Sequence, residues 1–299
     1  IEQEFERNNV NISKQTMSNW IVLCANKYFA AFVERMKQEL LTLHVTQADE
    51  TPTQVISDST HPNSKSYMWV HRSGELYKER PIVVYEYHKG RDHKIPLEFY
   101  KDYKGVLVTD GLQQYHLIDK LLPDVTNANC WAHARRDFSD AVKAADKKNP
   151  ESVRRSIAYQ ALQKIAEFYN ADTELKDFTS AERLQIRQTK IKPLVEDFFV
   201  WVKKQAAECA VPPKSKTAQG LNYIINQEVY LKAFLTDGDV PIDNSASERS
   251  IRTFCIGKKN WMFHNPAKGA SASALVYSIS ETAKLNNLRP YNYFKYILT

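Results

Sequence analysis

Long apolar runs are missing from this chain of 299 residues. None reaches the roughly 18 to 20 residues needed to span a bilayer, so the sequence does not read as a membrane protein. Cysteine is scarce as well. Cys24, Cys130, Cys209 and Cys255 lie far apart with no C-x-x-C pair, which leaves a disulfide framework or a four-cysteine zinc site without support and fits reduced thiols in a cytoplasm. There is no internal repeat, no low-complexity tract and no charged-then-apolar leader, and the first residue is Ile1 rather than Met. The expectation is a cytoplasmic chain that is a piece of something longer. Strong charge of one sign is absent too: the net charge of +6 favours an anionic partner such as nucleic acid without identifying one. Apolar (43%) and charged (25%) contents are those of an ordinary globular protein, long enough for two units or for one with an insertion.

Residues 13–37 have helical period, with Trp20, Ile21, Cys24 and Phe29 near one stripe and Ser13 as N-cap. Residues 1–42 are expected to form an N-terminal helical segment. Its "ISKQTMSNWI" reads either as ordinary core helix or as the remnant of a helix-turn-helix. Three stretches rich in β-branched and aromatic residues follow, "HVTQADETPTQV", "SKSYMWVHRSGE" and "PIVVYEYHKG", with "RSGE" as a turn between the second and third. They predict an antiparallel meander. "IPLEFYKDY" reads as helix, "KGVLVTDG" as a buried parallel strand, "YHLIDKLL" as helix, "TNANCWAH" as strand and "ARRDFSDAVKAA" as helix. The order β-β-β-α-β-α-β-α is that of an α/β fold with a ribonuclease-H-like mixed sheet. Residues 43–145 are its first part, 146–235 form an all-helical insertion of long amphipathic text, and 236–299 return to the core with the last catalytic helix and C-terminal helices.

Three carboxylates stand out by position. Asp49 falls in the first strand, Asp110 at the end of the fourth, and Glu248 on a helix beginning near Asn244. In such a sheet the first and fourth strands are neighbours and the last helix crosses beside them. Hard divalent cations prefer oxygen ligands, and a pair of them can drive phosphoryl transfer. The same residues also read as a strand end, an Asp-Gly turn and one exposed helix position.

"ADETPTQV", "SYMWVHRSG", "VLVTDG", "CWAHARRDF", "PIDNSASERSIR", "GKKNWMF" and "YSISETAKLNNLRPYNYFKYIL", in this order, resemble the insertion sequence 66 family of bacterial DDE transposases, from about residue 13 onward. The resemblance implies a metal-binding catalytic triad of Asp49, Asp110 and Glu248 using Mg²⁺, with Mn²⁺ as substitute. It implies cleavage of transposon ends and strand transfer into target DNA. The alternatives are an inactive DNA-binding or assembly remnant, or a nuclease of this fold. The implied partners are DNA, a second copy of the chain in a dimer or larger assembly, and accessory proteins of the same element, in a bacterial cytoplasm at the nucleoid. Ser245 stands where the family usually has a second Asn, and Leu112 where an aromatic usually follows "DG". Of the cysteine-rich segment and helix-turn-helix that usually precede the core, only "ISKQTMSNWI" is present.

"CWAHARRDF" itself reads three ways: half of a zinc site, a DNA-gripping turn, or a strand end with Trp131 and Phe138 in the core. Zinc lacks a second ligand pair. Cys130 is expected to be buried, while His133, Arg135 and Arg136 start a helix whose amides favour phosphate. Arg249, Arg252, Lys258 and Lys259 form a second basic group beside Glu248, fit to hold DNA or to be plain surface charge. Trp201 and Trp261 read as core or as base-stacking platforms.

Overall fold

The computed structural model describes residues 2–58, 65–145, 149–209 and 211–299. Five strands, β1 (Val45–Thr53), β2 (Ser66–Ser73), β3 (Val83–His88), β4 (Gly105–Thr109) and β5 (Val125–Asn129), form one sheet in the order β3-β2-β1-β4-β5. β1 pairs antiparallel with β2, and β2 with β3, whereas β4 runs parallel to both β1 and β5. This is the ribonuclease-H-like arrangement. β1 lies at its centre, which is why Val45, Thr46, Gln47 and Ala48 are all buried.

The two faces of the sheet carry different helices. Ala48, Trp69, Val84 and Leu107 pack with Phe29, Val33, Leu40 and Ile279 of the N- and C-terminal helices. Val45, Val108 and Ala128 pack with Trp131, Phe168, Phe198 and Ile224, so the core continues without a break into the helical insertion. A third cluster joins Val70 and Tyr85 to Ile251 and Phe254 of the helix Ser245–Trp261. At the β3 edge, the amides of Val83 and Tyr85 donate to the hydroxyls of Thr282 (3.0 Å) and Ser278 (2.8 Å), and Thr282 donates back to the Val83 carbonyl. The helix Ala267–Leu285 thereby closes an edge that would otherwise present free backbone groups.

Four expectations need correction. Trp20 and Ile21 are each 52% exposed; the buried stripe is Ala25, Phe29, Val33, Met36 and Leu40. The helix begins at Lys14 with Ser13 as N-cap, but a π-helical turn at Ala25–Phe29 adds a residue to the winding and rotates the apolar stripe. The fifth strand stops at Asn129 and the helix Trp131–Ala134 begins at once, because the Trp131 amide donates to Ile242 rather than to a strand. "RSGE" is no tight turn: Arg72 and Ser73 belong to β2, and β3 begins only at Val83. "YHLIDKLL" is a 3₁₀ turn, Tyr115–Leu117, and a single helical turn, Ile118–Leu121. Ser64, where the second strand text begins, and Asp146, where the insertion begins, lie outside the described residues.

The insertion is helical as expected, chiefly Ile157–Thr173, Lys192–Glu208 and Lys216–Asn226. A buried guanidinium ties it back to the core. Arg187 bonds Asp172 (2.6 and 3.1 Å) and donates to the carbonyls of Phe234, Asp237 and Val240 (2.9, 2.8 and 2.8 Å). The segment that returns the chain to the sheet therefore has a fixed path. Gly238 lies on that path because a Cβ there would stand 2.0 Å from the Ser180 carbonyl oxygen.

Candidate active site

Along β1 the side chains alternate between the two faces. Gln47, Asp49 and Thr51 turn toward the helix Ser245–Trp261, where Gln47 meets Asn244 and Thr51 meets Cys255. Asp110 follows directly on the last residue of β4. Its Oδ1 accepts the Leu112 amide (3.1 Å) and its carbonyl accepts the Tyr223 hydroxyl (3.1 Å) from the insertion. Gly111 has φ of +81° and stands so close to Tyr223 and Asn129 that a Cβ would lie 2.4 Å from the tyrosine oxygen. Glycine is required there on both counts.

Glu248 lies in the first turn of its helix, where the macrodipole favours a carboxylate. That turn is bolted down at several points. Asn244 is fully buried; its Nδ2 donates to the Ala48 carbonyl (2.8 Å), its Oδ1 accepts Gln47 Nε2 (3.1 Å), and its amide donates to Cys130 Sγ (3.1 Å). Asp243 Oδ1 accepts the Ser245 amide (2.8 Å), and the Tyr169 hydroxyl donates to the other carboxylate oxygen. Arg72, buried in β2, donates to the Ala246 carbonyl (2.9 Å). Burial brings the Arg72 guanidinium down to about 10.

The electrostatics tie the three carboxylates together. Burial raises the Asp49 carboxyl well above the ordinary range, and the charges of Glu50, Asp110 and Glu248 add to the rise, while the Glu50 amide, 2.8 Å from Oδ1, opposes it. Asp110 is raised to about 6, by burial first and then by Glu50; its bond from the Leu112 amide and the charges of Arg91 and Arg136 hold it back. Asp49 thus sits against the charges of Glu50, Asp110 and Glu248. Among the described residues, though, no three His, Cys, Asp or Glu side chains stand close enough to enclose an ion as placed.

"CWAHARRDF" turns out to be a junction. Cys130 is fully buried and accepts the Asn244 amide, and burial pushes its thiol up to about 12, so it is an inert spacer. Trp131 enters the insertion core, edge-on to Phe168 (4.7 Å between centroids), with its indole N–H donating to the Leu231 carbonyl (2.8 Å). Phe138 is buried too. His133 turns inward: Nδ1 lies 3.4 Å from Glu248 Oε1 without hydrogen-bonding geometry, leaving that nitrogen without a hydrogen-bond partner. Burial and Arg136 lower it to about 4, so the imidazole is neutral at pH 7.

Arg135 and Arg136 are exposed, Arg135 over the Tyr169 ring. Arg249 bonds Glu75 (2.6 Å) and Lys258 donates to the Pro52 carbonyl (2.6 Å), while Arg252 and Lys259 are exposed on the same helix. Trp261 packs on Phe254 and His264, and Trp201 stacks on Phe198. Sequence reasoning missed Glu50, Arg91, Tyr115, Gln47, Asn244, Arg72 and Tyr223. Glu50, Arg72 and Asn244 lie inside quoted motifs and Gln47 directly beside one, which was their only signal; Arg91, Tyr115 and Tyr223 had none.

Comparison with known proteins gives these features a family. The model of the IS66 transposase family matches residues 1–272. Two curated proteins of Sinorhizobium fredii (strain NBRC 101917 / NGR234), both named as uncharacterized, are similar. For y4qI the identity is 27% over 98% of this chain and 54% of its own length, and for y4hP it is 29% over 70% and 39%. The chain thus spans about half or less of the length of the curated relatives it matches. From the extent of the family match, which takes in Asp49 in β1, Asp110 just after β4 and the helix bearing Glu248, the chain belongs to the IS66 family of transposases.

Proposed function

We propose that this chain carries the catalytic centre of a DNA transposase, cutting DNA at the ends of a mobile element and joining the exposed 3′-hydroxyls to target DNA. One observation carries the reading: Asp49, in the central strand, is opposed by the charges of both Asp110 and Glu248. A buried carboxylate opposed by like charges suits a divalent cation, and hard oxygen donors match Mg²⁺ or Mn²⁺. The unpartnered Nδ1 of His133 beside Glu248 fits a site completed by something further. Asp49 and Asp110 would hold the metal, and Glu248 would complete its shell as the side chains draw together. When bound, the metal supplies activation of a water or 3′-hydroxyl and stabilisation of the leaving oxygen.

The protein's own part is placement. Neutral His133 stands beside Glu248 without pairing with it as a cation. Exposed Arg135, Arg136, Arg252 and Lys259 would take DNA phosphates, which position a duplex without reading its sequence. Arg249 and Lys258 would contribute only the N–H groups left by Glu75 and Pro52. Pairing two DNA ends suits an assembly of two copies of the chain or more.

The test is cleavage of plasmid DNA carrying the element's ends, with Mg²⁺ or Mn²⁺ and the full chain. Asp49→Asn, Asp110→Asn and Glu248→Gln should each abolish metal-dependent cutting and joining while DNA binding persists. Binding without cutting by the parent chain would favour a DNA-binding remnant, and cutting without joining a nuclease.

A further inference from the structure

The β1–β4 ladder runs Val45↔Val106, Thr46↔Leu107, Gln47↔Val108 and then stops. On its other side β1 stays paired with β2 as far as Thr53. Asp49 and Asp110 lie just beyond the last β1–β4 pair, where no backbone hydrogen bonds set the distance between the two strands. Pro52 fits the same picture, since a residue without an N–H is tolerated where a strand has become an edge. Ligand crevices in open α/β sheets form at just such strand ends.

A side chain crosses the gap instead. Glu50, next to Asp49 but on the opposite face of β1, has a side chain with 0% exposure. Its Oε2 accepts the Tyr115 hydroxyl at 2.6 Å, and Tyr115 is itself fully buried at the far end of the loop that begins with Asp110. Its Oε1 accepts two N–H groups of Arg91, with Nε at 2.6 Å. An apolar residue of this volume would fill the space without desolvating a charge and without adding a negative charge beside Asp49 and Asp110. What the carboxylate adds is reach and direction. Arg91 fixes one oxygen and so aims the other at Tyr115, whose ring is held edge-on to Trp69 (6.2 Å between centroids).

We propose that Glu50 is a positioning residue, and that its hydrogen bond with Tyr115 is the strut that sets the separation of Asp49 and Asp110 where the backbone ladder has ended. The inference rests on the metal-dependent reading above for its purpose, but not for its geometry.

The experiment uses Tyr115→Phe, which removes one oxygen, and Tyr103→Phe as a comparison. The Tyr103 hydroxyl is also an internal donor, to the His44 and Val106 carbonyls (2.9 and 3.1 Å), at the opposite end of β1 and β4. Mn²⁺ affinity of the full chain is measured by titration calorimetry, and amide exchange of residues 110–115 is measured in chelator. Tyr115→Phe should bind Mn²⁺ about tenfold more weakly than the parent, the scale of losing an outer-shell partner. Exchange at residues 110–115 should quicken while β2 and β3 hold, and Tyr103→Phe should match the parent in both. Equal Mn²⁺ affinity in parent and Tyr115→Phe, or equal loss in both variants, overturns the proposal. If the parent binds no Mn²⁺, the metal reading falls, and the exchange data decide the strut alone: faster exchange at 110–115 in Tyr115→Phe upholds it, and unchanged exchange removes it.

Discussion

Replacing Asn244 by alanine tests how the helix bearing Glu248 is held. The side chain is fully buried and makes two hydrogen bonds to β1, one to the Ala48 carbonyl and one from Gln47 Nε2. Gln47 keeps a second acceptor, the Asp243 carbonyl at 3.2 Å, so its loss is the milder one. The Ala48 carbonyl loses a buried donor, which costs about 1–3 kcal/mol, and the Gln47 bond adds about 0.5–1.5 kcal/mol. The expected destabilisation is therefore about 2–4 kcal/mol. At roughly 2–4 °C per kcal/mol for chains of 150–250 residues, and somewhat less here, Tm should fall by roughly 3–12 °C. Differential scanning calorimetry in chelator reads it directly. Asn244→Asp is the informative companion: it keeps an acceptor for Gln47 but sets a carboxylate against the Ala48 carbonyl, and should be at least as unstable as Asn244→Ala. If Asn244→Ala melts within a degree of the parent, Asn244 does not clamp the helix to β1.

Asp110→Asn should stabilise the metal-free protein. The folded carboxyl, at about 6, lies above the ordinary 3.8, so its charged form opposes folding at neutral pH by at most about 3 kcal/mol. The gain over the parent should be full above pH 6, shrink as pH falls from there and vanish below pH 4, as read by thermal unfolding in chelator; a less stable Asn variant at pH 7.5 would contradict it. His71 gives the opposite slope. Burial lowers it to about 3, so the unfolded chain takes up the proton first and stability should fall as pH drops from 6.5, by about 2 kcal/mol at pH 5. His71→Gln should flatten that part of a urea-unfolding profile. Arg187→Ala strands Asp172 and three carbonyls, and should cost about 3–5 kcal/mol, with limited proteolysis cutting near residues 236–243.

The parts of the fold that follow local rules were readable in the sequence. The run "KGVLVTDG" could hardly be anything but a buried strand with a turn at its end, and it put Asp110 where the structure has it. The helix near Asn244 was equally visible. Phase was not: a π turn at Ala25–Phe29 leaves no mark in composition, so an unbroken helical period puts Trp20 and Ile21 on one stripe with Phe29, whereas both are exposed. The positioning network was hidden for another reason. Asn244 and Ala48 lie 196 residues apart in the chain, and Glu50 and Tyr115 lie 65 apart. A polar residue at such a position announces a partner without naming it. "CWAH" had three readings because its residues serve different neighbours: Cys130 meets Asn244, Trp131 the insertion core and His133 the side of Glu248.

The hydroxyls of Ser278 and Thr282 along β3 bear on how copies of this chain can associate. Strand addition, in which an extended segment joins an exposed sheet edge, needs vacant amides, and on this side Val83 and Tyr85 have given theirs to the chain's own helix. Any contact between copies on this side would therefore go through helical surfaces rather than through strand addition. At β3 the sheet is thus finished by the chain's own helix, and growth from that edge would first have to displace Ser278 and Thr282.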